Sequence, residues 1–170
     1  PPRSTPKPSS AASDVYKRQR LIPDIMRAIL GNRPVVIRNP NAIRPWQHVL
    51  EPLNGYLCLA ERLWSDGPRF AQAWNFGPDS ENAKTVGWIV DYLTRRWGEG
   101  ARWELDGSEH PHEDTFLKLD CSKARSLLGW APKLSLATAL EWIIEWYRGY
   151  RQQADMRTLT KAQIERFEAM

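Results

Sequence analysis

Apolar residues at Ile22, Ile25, Met26 and Ile29 recur at helical spacing and predict a first helix over residues 21–30. Pro23 suits its first turn and Gly31 its C-terminal cap. Residues 34–38 form a short β-branched strand, broken by Asn39-Pro40. A second helix is predicted over 49–64, with Pro52 in its first turn, and 71–76 reads as a strand ending at Gly77-Pro78. A third helix over 85–97 sets Ile89, Leu93 and Trp97 one turn apart, with Gly98 as its stop. Residues 102–105 and 116–119 are candidate strands, and 122–128 a short helix closed by Gly129. Ser135 caps a long amphipathic helix to about residue 153, with Leu136, Leu140, Ile143 and Tyr147 on one face. Thr160 with Gln163 has the form of a capping box for a last helix through Phe167.

The pattern is α+β, helices around short, separated strands. A run of βαβ units is missing, so the chain is not expected to build a doubly wound sheet by itself, and a larger surface has to come from elsewhere. Three regions are expected: a disordered tail over 1–19, a domain over 20–153, and a C-terminal extension over 154–170 that carries a short helix. Hydrophobic content of 42% with 26% charged residues describes a globular chain. No apolar run approaches the roughly 18 residues of a membrane span. Cys58 and Cys121 are too few for a disulfide scaffold or a four-thiolate zinc site, and suit reduced thiols in a cytoplasmic protein.

The net charge of +4 suggests nucleic-acid binding until it is located. Residues 1–19 hold Arg3, Lys7, Lys17 and Arg18 against Asp14, which is +3 and leaves +1 for the rest. A nucleic-acid face is therefore not expected. Nine tryptophans could stack on bases or sugars, but Trp88, Trp97, Trp142 and Trp146 fall within helices at core or interface spacing. Trp142, Trp146 and Tyr150 share one stripe of the long helix and predict an exposed, association-prone patch there. The stretch 10–19, Ser-Ala-Ala-Ser-Asp-Val-Tyr-Lys-Arg-Gln, resembles adaptor read-through, so residues 1–19 are read as foreign and the native sequence as starting at Arg20, in mid-domain.

Three segments carry a resemblance. They are Arg20-Leu21-Ile22-Pro23-Asp24, then residues 37–49 (Ile-Arg-Asn-Pro-Asn-Ala-Ile-Arg-Pro-Trp-Gln-His-Val), then Leu-Lys-Leu-Asp at 117–120 through Leu128-Gly129-Trp130-Ala131-Pro132. In this order they resemble the C-terminal half of the nucleotide-sugar dehydratases and epimerases of the extended short-chain dehydrogenase/reductase superfamily. The wording is closest to the branch that acts on a CDP-sugar. The resemblance implies a substrate-binding lobe that closes over the nucleotide sugar, beside a Rossmann half that holds NAD. It also implies an internal redox cycle, in which hydride leaves C4 of the hexose for NAD, water is lost across C5 and C6, and hydride returns to C6. The product would feed deoxysugars of bacterial surface polysaccharide, and the whole enzyme is expected to be a cytoplasmic homodimer.

The Gly-x-x-Gly-x-x-Gly cradle is missing from this chain, and none of Tyr16, Tyr56, Tyr92, Tyr147 and Tyr150 has Lys four residues later. Binding without turnover, and no catalytic residue, is the expectation. The resemblance puts Arg44 on the diphosphate, a task suited to a permanently charged, planar fork of donors. It puts Arg38 and Asn39 by the base and ribose, Leu21, Ile22 and Pro23 at the nucleotide wall, Asn75 near the nucleotide, and His112 and Glu113 beside it, with Glu113 accepting from ribose hydroxyls. From the residues alone, Leu21, Ile22 and Pro23 serve equally as packing at a helix start, and Asn75 as turn chemistry. The group His110-Pro111-His112-Glu113-Asp114 is not expected to bind metal, because no second ligand cluster accompanies it. His48 is read as a hydrogen-bonded structural histidine within a Trp-Gln-His-Val strand, and Lys118 as an outward strand residue. A non-catalytic nucleotide-sugar-binding module, or an epimerase or dehydratase for another nucleotide, stays open.

Overall fold

The computed structural model describes residues 20–108 and 118–170. The elements run α1 (Leu21–Leu30), β1 (Val35–Ile37), β2 (Ile43–Pro45), α2 (Leu50–Asp66), β3 (Ala83–Thr85), α3 (Val86–Trp97), β4 (Trp103–Leu105), α4 (Leu136–Arg151) and α5 (Met156–Glu168). One π-helical turn, Ala124–Leu128, fills the predicted short helix, and Gly129 closes it in the left-handed region at φ 67°. β1 pairs in parallel with β4, and β2 pairs antiparallel with β3. Neither ladder exceeds three residues, so helix packing carries the fold.

The main core gathers one face each of α1, α3 and α4 around β1. Ile25, Met26, Ile89, Val90 and Leu93 are fully buried, joined by Val35, Ile37, Trp97, Leu136, Leu140 and Ile144. Thr85 caps α3 by accepting from Trp88 N, and Ser135 caps α4 by accepting from Thr138 N. Trp97 lies under the guanidinium groups of Arg148 and Arg151, which joins the end of α3 to the end of α4. A second cluster of Phe70, Phe76, Cys121, Ala124, Leu128 and Trp130 sits against α2. There Gly55 meets the Phe76 ring, and a Cβ on residue 55 would lie 2.4 Å from it.

Four sequence expectations change. Residues 71–76 form no strand: among the described residues no backbone ladder includes them, and side chains of Gln47 and Lys123 take the Phe76 and Ala73 carbonyls instead. Lys118 and Leu119 are not in a strand either, and Phe116 and Leu117 lie outside the described residues. The last helix starts at Met156, where Asp155 accepts from the Arg157 and Thr158 N–H groups; Thr160 is already inside it. The predicted apolar patch on α4 is covered for most of its length. α5 folds back on α4, Trp142 is buried with Leu134 and Phe167, Arg166 stacks over Trp142, and Trp146 donates Nε1–H to Thr160 Oγ1 at 2.9 Å. Buried Gln163 donates to Trp142 O at 2.9 Å, so it serves the helix pair and not a cap. Tyr150 alone of the stripe stays exposed.

Glu51 ties α2 to the rest. It is 1% exposed, and its carboxylate accepts from Leu134 N at 2.7 Å and Lys133 N at 2.9 Å. Burial pushes its carboxyl above the ordinary range, and these two N–H groups pull it back. Glu51→Ala strands two backbone donors and is expected to lower unfolding free energy by about 2–3 kcal/mol, read from urea titration at pH 7.

Candidate functional site

The segment between β1 and α2 holds the predicted nucleotide-side residues. The loop after β1 is fixed to the first turn of α3, whose unused donors go to its carbonyls: Gly87 N to Pro40 O at 2.8 Å and Val86 N to Ala42 O at 2.9 Å. A Cβ at residue 87 would sit 3.2 Å from Pro40 O, so glycine permits this approach. Ala42, buried at 2% exposure, then leads into β2.

Arg44 is the middle residue of β2 and half-buried, and its Nη1 donates to Ile43 O at 3.0 Å. Register places Lys84 of β3 directly opposite it. The Lys84 ammonium lies 5.9 Å from the centre of the Trp88 ring. The pairing of Arg44 with Lys84 is invisible in the sequence, where 40 residues separate the two, and Lys84 went unselected there. Trp46 Nε1 donates to Lys84 O at 2.7 Å and steadies the same ladder.

Arg38 follows the end of β1, is exposed, and has its Nε 4.0 Å from Asp106 Oδ2 beyond β4. Asn39 is half-buried, and its carbonyl accepts from Ala42 N at 3.4 Å. Gln47 Nε2 donates to Phe76 O at 2.9 Å, which ties the chain after β2 to residues 71–76. The buried Gln47 Oε1 has no hydrogen-bond partner among the described residues. Next to Phe76, Asn75 Nδ2 donates to Asp120 O at 3.1 Å, so its amide bridges two segments instead of closing the Gly77-Pro78 turn.

Arg38, Asn39 and Arg44 thus lie on one continuous stretch of chain, which the Gln47 side chain ties to Phe76, the residue after Asn75. Leu21, Ile22 and Pro23 form the first turn of α1, and Leu21 and Ile22 pack against the main core. His112 and Glu113 lie outside the described residues, as does the whole of the 110–114 group. Lys118 is exposed. A cleft of about 230 Å³ opens elsewhere, between the ends of α1, α3 and α4, and its walls include Arg33, Trp97, Glu99 and Arg151. None of the candidate residues lines it, and Glu99 and Arg151 there are ion-paired to each other. Among the described residues, no group of three His, Cys, Asp or Glu side chains could hold a metal ion.

His48 lies in the turn that opens α2, not in a strand. Its Nδ1 accepts from Leu50 N at 3.3 Å, and its ring meets Trp142 edge-on. Burial holds its pKa below the ordinary value of 6.5. The neutral ring belongs to the folded state, while the unfolded chain protonates first as pH falls. Stability is therefore expected to be full above about pH 6.5 and to fall as pH drops below it through the lowered value. Urea titrations at pH 7.5 and 5.5 would show this loss, and His48→Asn would flatten that part of the slope.

No family model matches the chain. Over 149 residues, 88% of its length, it is 50% identical to CDP-glucose 4,6-dehydratase of Salmonella typhimurium, and it spans 42% of that protein. It is 25% identical over 134 residues to dTDP-glucose 4,6-dehydratase of Streptomyces niveus, spanning 38% of it. The chain is therefore less than half the length of either relative. Among solved structures, it is similar to a mutant UDP-glucuronic acid 4-epimerase of Bacillus cereus in complex with UDP-4-deoxy-4-fluoro-glucuronic acid and NAD. That match has a TM-score of 0.66 at 19% identity, over 79% of this chain and 41% of that one. dTDP-glucose 4,6-dehydratase of Bacillus anthracis, in complex with NAD, matches at 0.57 and 18% identity, over 82% and 42%. The fold is that of the C-terminal portion of Rossmann-type epimerases and dehydratases.

Proposed function

We propose that this chain, a member of the extended short-chain dehydrogenase/reductase family of nucleotide-sugar dehydratases and epimerases, is the substrate-binding portion of a CDP-glucose 4,6-dehydratase. The observation that carries the reading is the 50% identity over 88% of the chain to an enzyme of that name, against 25% to the dTDP-glucose relative. The whole enzyme would convert CDP-glucose to CDP-4-keto-6-deoxyglucose and water, in the cytoplasm and as a homodimer, supplying deoxysugars for bacterial surface polysaccharide.

The residues present do not fit a dinucleotide. The parallel strand β1 runs into Arg38-Asn39-Pro40, where a pyrophosphate cradle needs glycines and a helix N-terminus, and proline has no N–H to offer. Redox chemistry on NAD therefore belongs to the N-terminal half of the enzyme. The part played by this chain is to bind and orient. Arg44, half-buried and always charged, faces the diphosphate, and Lys84 opposite it adds a second cation. Arg38 and Asn39 stand at the base and ribose, Leu21, Ile22 and Pro23 at the wall, and Asn75 near the nucleotide. By resemblance, His112 and Glu113, outside the described residues, are assigned beside the nucleotide, with Glu113 to accept from ribose hydroxyls.

Calorimetric titration of the chain with CDP, UDP and dTDP tests the reading. CDP is expected to bind most tightly, and Arg44→Ala to weaken it by about 1.5–3 kcal/mol. Equal or tighter binding of UDP or dTDP would move the chain to another branch of the family. Unchanged CDP affinity in Arg44→Ala would take Arg44 out of the site.

A further inference from the structure

Three helices end at the cleft beside α1: Leu30 closes α1, Trp97 closes α3 and Arg151 closes α4. The negative ends of helix dipoles favour cations, so arginines there ordinarily serve as caps. These ends have their caps already. The N–H groups of Gly31, Asn32 and Arg33 donate to the Arg27, Ile29 and Ala28 carbonyls, and those of Gln152 and Gln153 donate to Arg148 O and Tyr150 O. Arg148 serves α3, donating from Nη2 to Arg96 O at 2.9 Å and Trp97 O at 3.3 Å. Arg33 and Arg102 stand on the cleft wall with no such task. Both are exposed, and among the described residues neither guanidinium has a hydrogen-bond or ion-pair partner. Val35 N donates to Arg102 O at 3.0 Å, which sets the two arginines beside the starts of the parallel strands β1 and β4. Arg38, on the nucleotide side, follows the other end of β1, a strand length of about 10 Å away.

A third guanidinium in the cleft already holds an anion that the chain itself supplies. Arg151 has its Cζ 5.1 Å from the centre of the Trp97 ring and grips the Glu99 carboxylate with both Nη atoms, Nη2 at 2.8 Å from Oε1. Glu99 stands at φ 55° between Gly98 at 73° and Gly100 at 74°, in a region that residues with a side chain seldom occupy. The Arg151 and Glu99 side chains are 42% and 56% exposed, so water competes for their pairing and the bond is a weak one. Three guanidiniums against one carboxylate leave two positive charges on the wall, which match a phosphate dianion. Another carboxylate would bring one charge, whereas phosphate brings up to two and an acceptor oxygen for each fork. Past Arg151 the cleft runs into an open groove of about 480 Å³ that shares Leu30 and Arg151 with it. Tyr150 walls this groove, 55% exposed and stacked on Trp146 with their planes 5° apart. A flat aromatic face thus stands next to a cationic end.

We propose that this cleft is a second ligand site, in which Arg33, Arg102 and Arg151 take the phosphate of a small molecule and Glu99 is the group that phosphate displaces from Arg151. No residue is shared with the nucleotide side. The phosphate has two possible sources, a free inorganic oligophosphate or a nucleotide whose base lies on Tyr150.

The test titrates the 170-residue chain, carrying Arg44→Ala to silence the nucleotide side, with inorganic pyrophosphate in a calorimeter. One saturable site is expected. In that background Arg33→Gln and Arg102→Gln are each expected to weaken it at least about 10-fold. Glu99→Gln removes the competing carboxylate and is expected to tighten it at least about twofold, a gain that unfolding cannot produce. Arg62→Gln, on α2, controls for general positive charge and should leave the affinity within about 1.5-fold. CDP in the same background separates the two sources. An affinity at least about 10-fold above that of pyrophosphate, with the gain lost in Tyr150→Ala, assigns the site to a nucleotide, and any smaller gain assigns it to free phosphate. Lack of saturable pyrophosphate binding, an affinity unmoved by Arg33→Gln and Arg102→Gln, an equal loss in Arg62→Gln, or no tightening in Glu99→Gln would each overturn the proposal.

Discussion

Two backbone hydrogen bonds hold the candidate site to the core. The first turn of α3 has donors that no helical carbonyl can use, and Val86 and Gly87 give theirs to Ala42 and Pro40. The same helix is anchored in the main core through Ile89, Val90, Leu93 and Trp97. Packing thus fixes α3, α3 fixes the loop after β1, and the loop sets Arg38 and Asn39 on one side and Arg44 on the other. A three-residue ladder could not place Arg44 unaided. β2 gains its position from the helix beside it, and β3 leads straight into that helix at Thr85.

The second cluster stands in a different relation to the site. It is built on the close approach of Gly55 to Phe76 and on the Gln47 tie to the Phe76 carbonyl. That tie runs through the residues between Arg44 and α2, so α2 and the arginine share one short stretch of chain. Residues 71–76 are held in the same way by side chains: Lys123 Nζ donates to Ala73 O, and Asn75 Nδ2 to Asp120 O.

Much of the helical structure was legible because its signals are local. Thr85 and Ser135 are hydroxyl caps directly before periodic apolar runs, and Gly129 is a stop that needs the left-handed region. What escaped the sequence depends on remote partners. Ile43-Arg44-Pro45 contains a proline and is too short to read as a strand, and only the pairing with 83–85 makes it one. Residues 71–76 have strand composition, but among the described residues their carbonyls go to side chains and to no backbone ladder, which composition does not reveal. Trp142 and Trp146 looked exposed because nothing in their own helix reveals that α5 returns over them. Asp155 was passed over as a cap in favour of the Thr160 and Gln163 spacing, although both forms obey the same rule. At the site, Arg38, Asn39, Arg44 and Asn75 were found through wording shared with a family. Lys84 could be found only from register.

Glu51 has a bearing on the order in which the molecule assembles. Its partner Leu134 lies 83 residues further along the chain. Closing a loop of that length costs about 2 kcal/mol more chain entropy than closing one of ten residues. Helix α1 with β1, or α3 with its own cap, is rewarded as soon as a few neighbouring residues order. The carboxylate of Glu51 gains its donors only once residues 133 and 134 have been brought beside it, and the desolvation of its charge is offset only then.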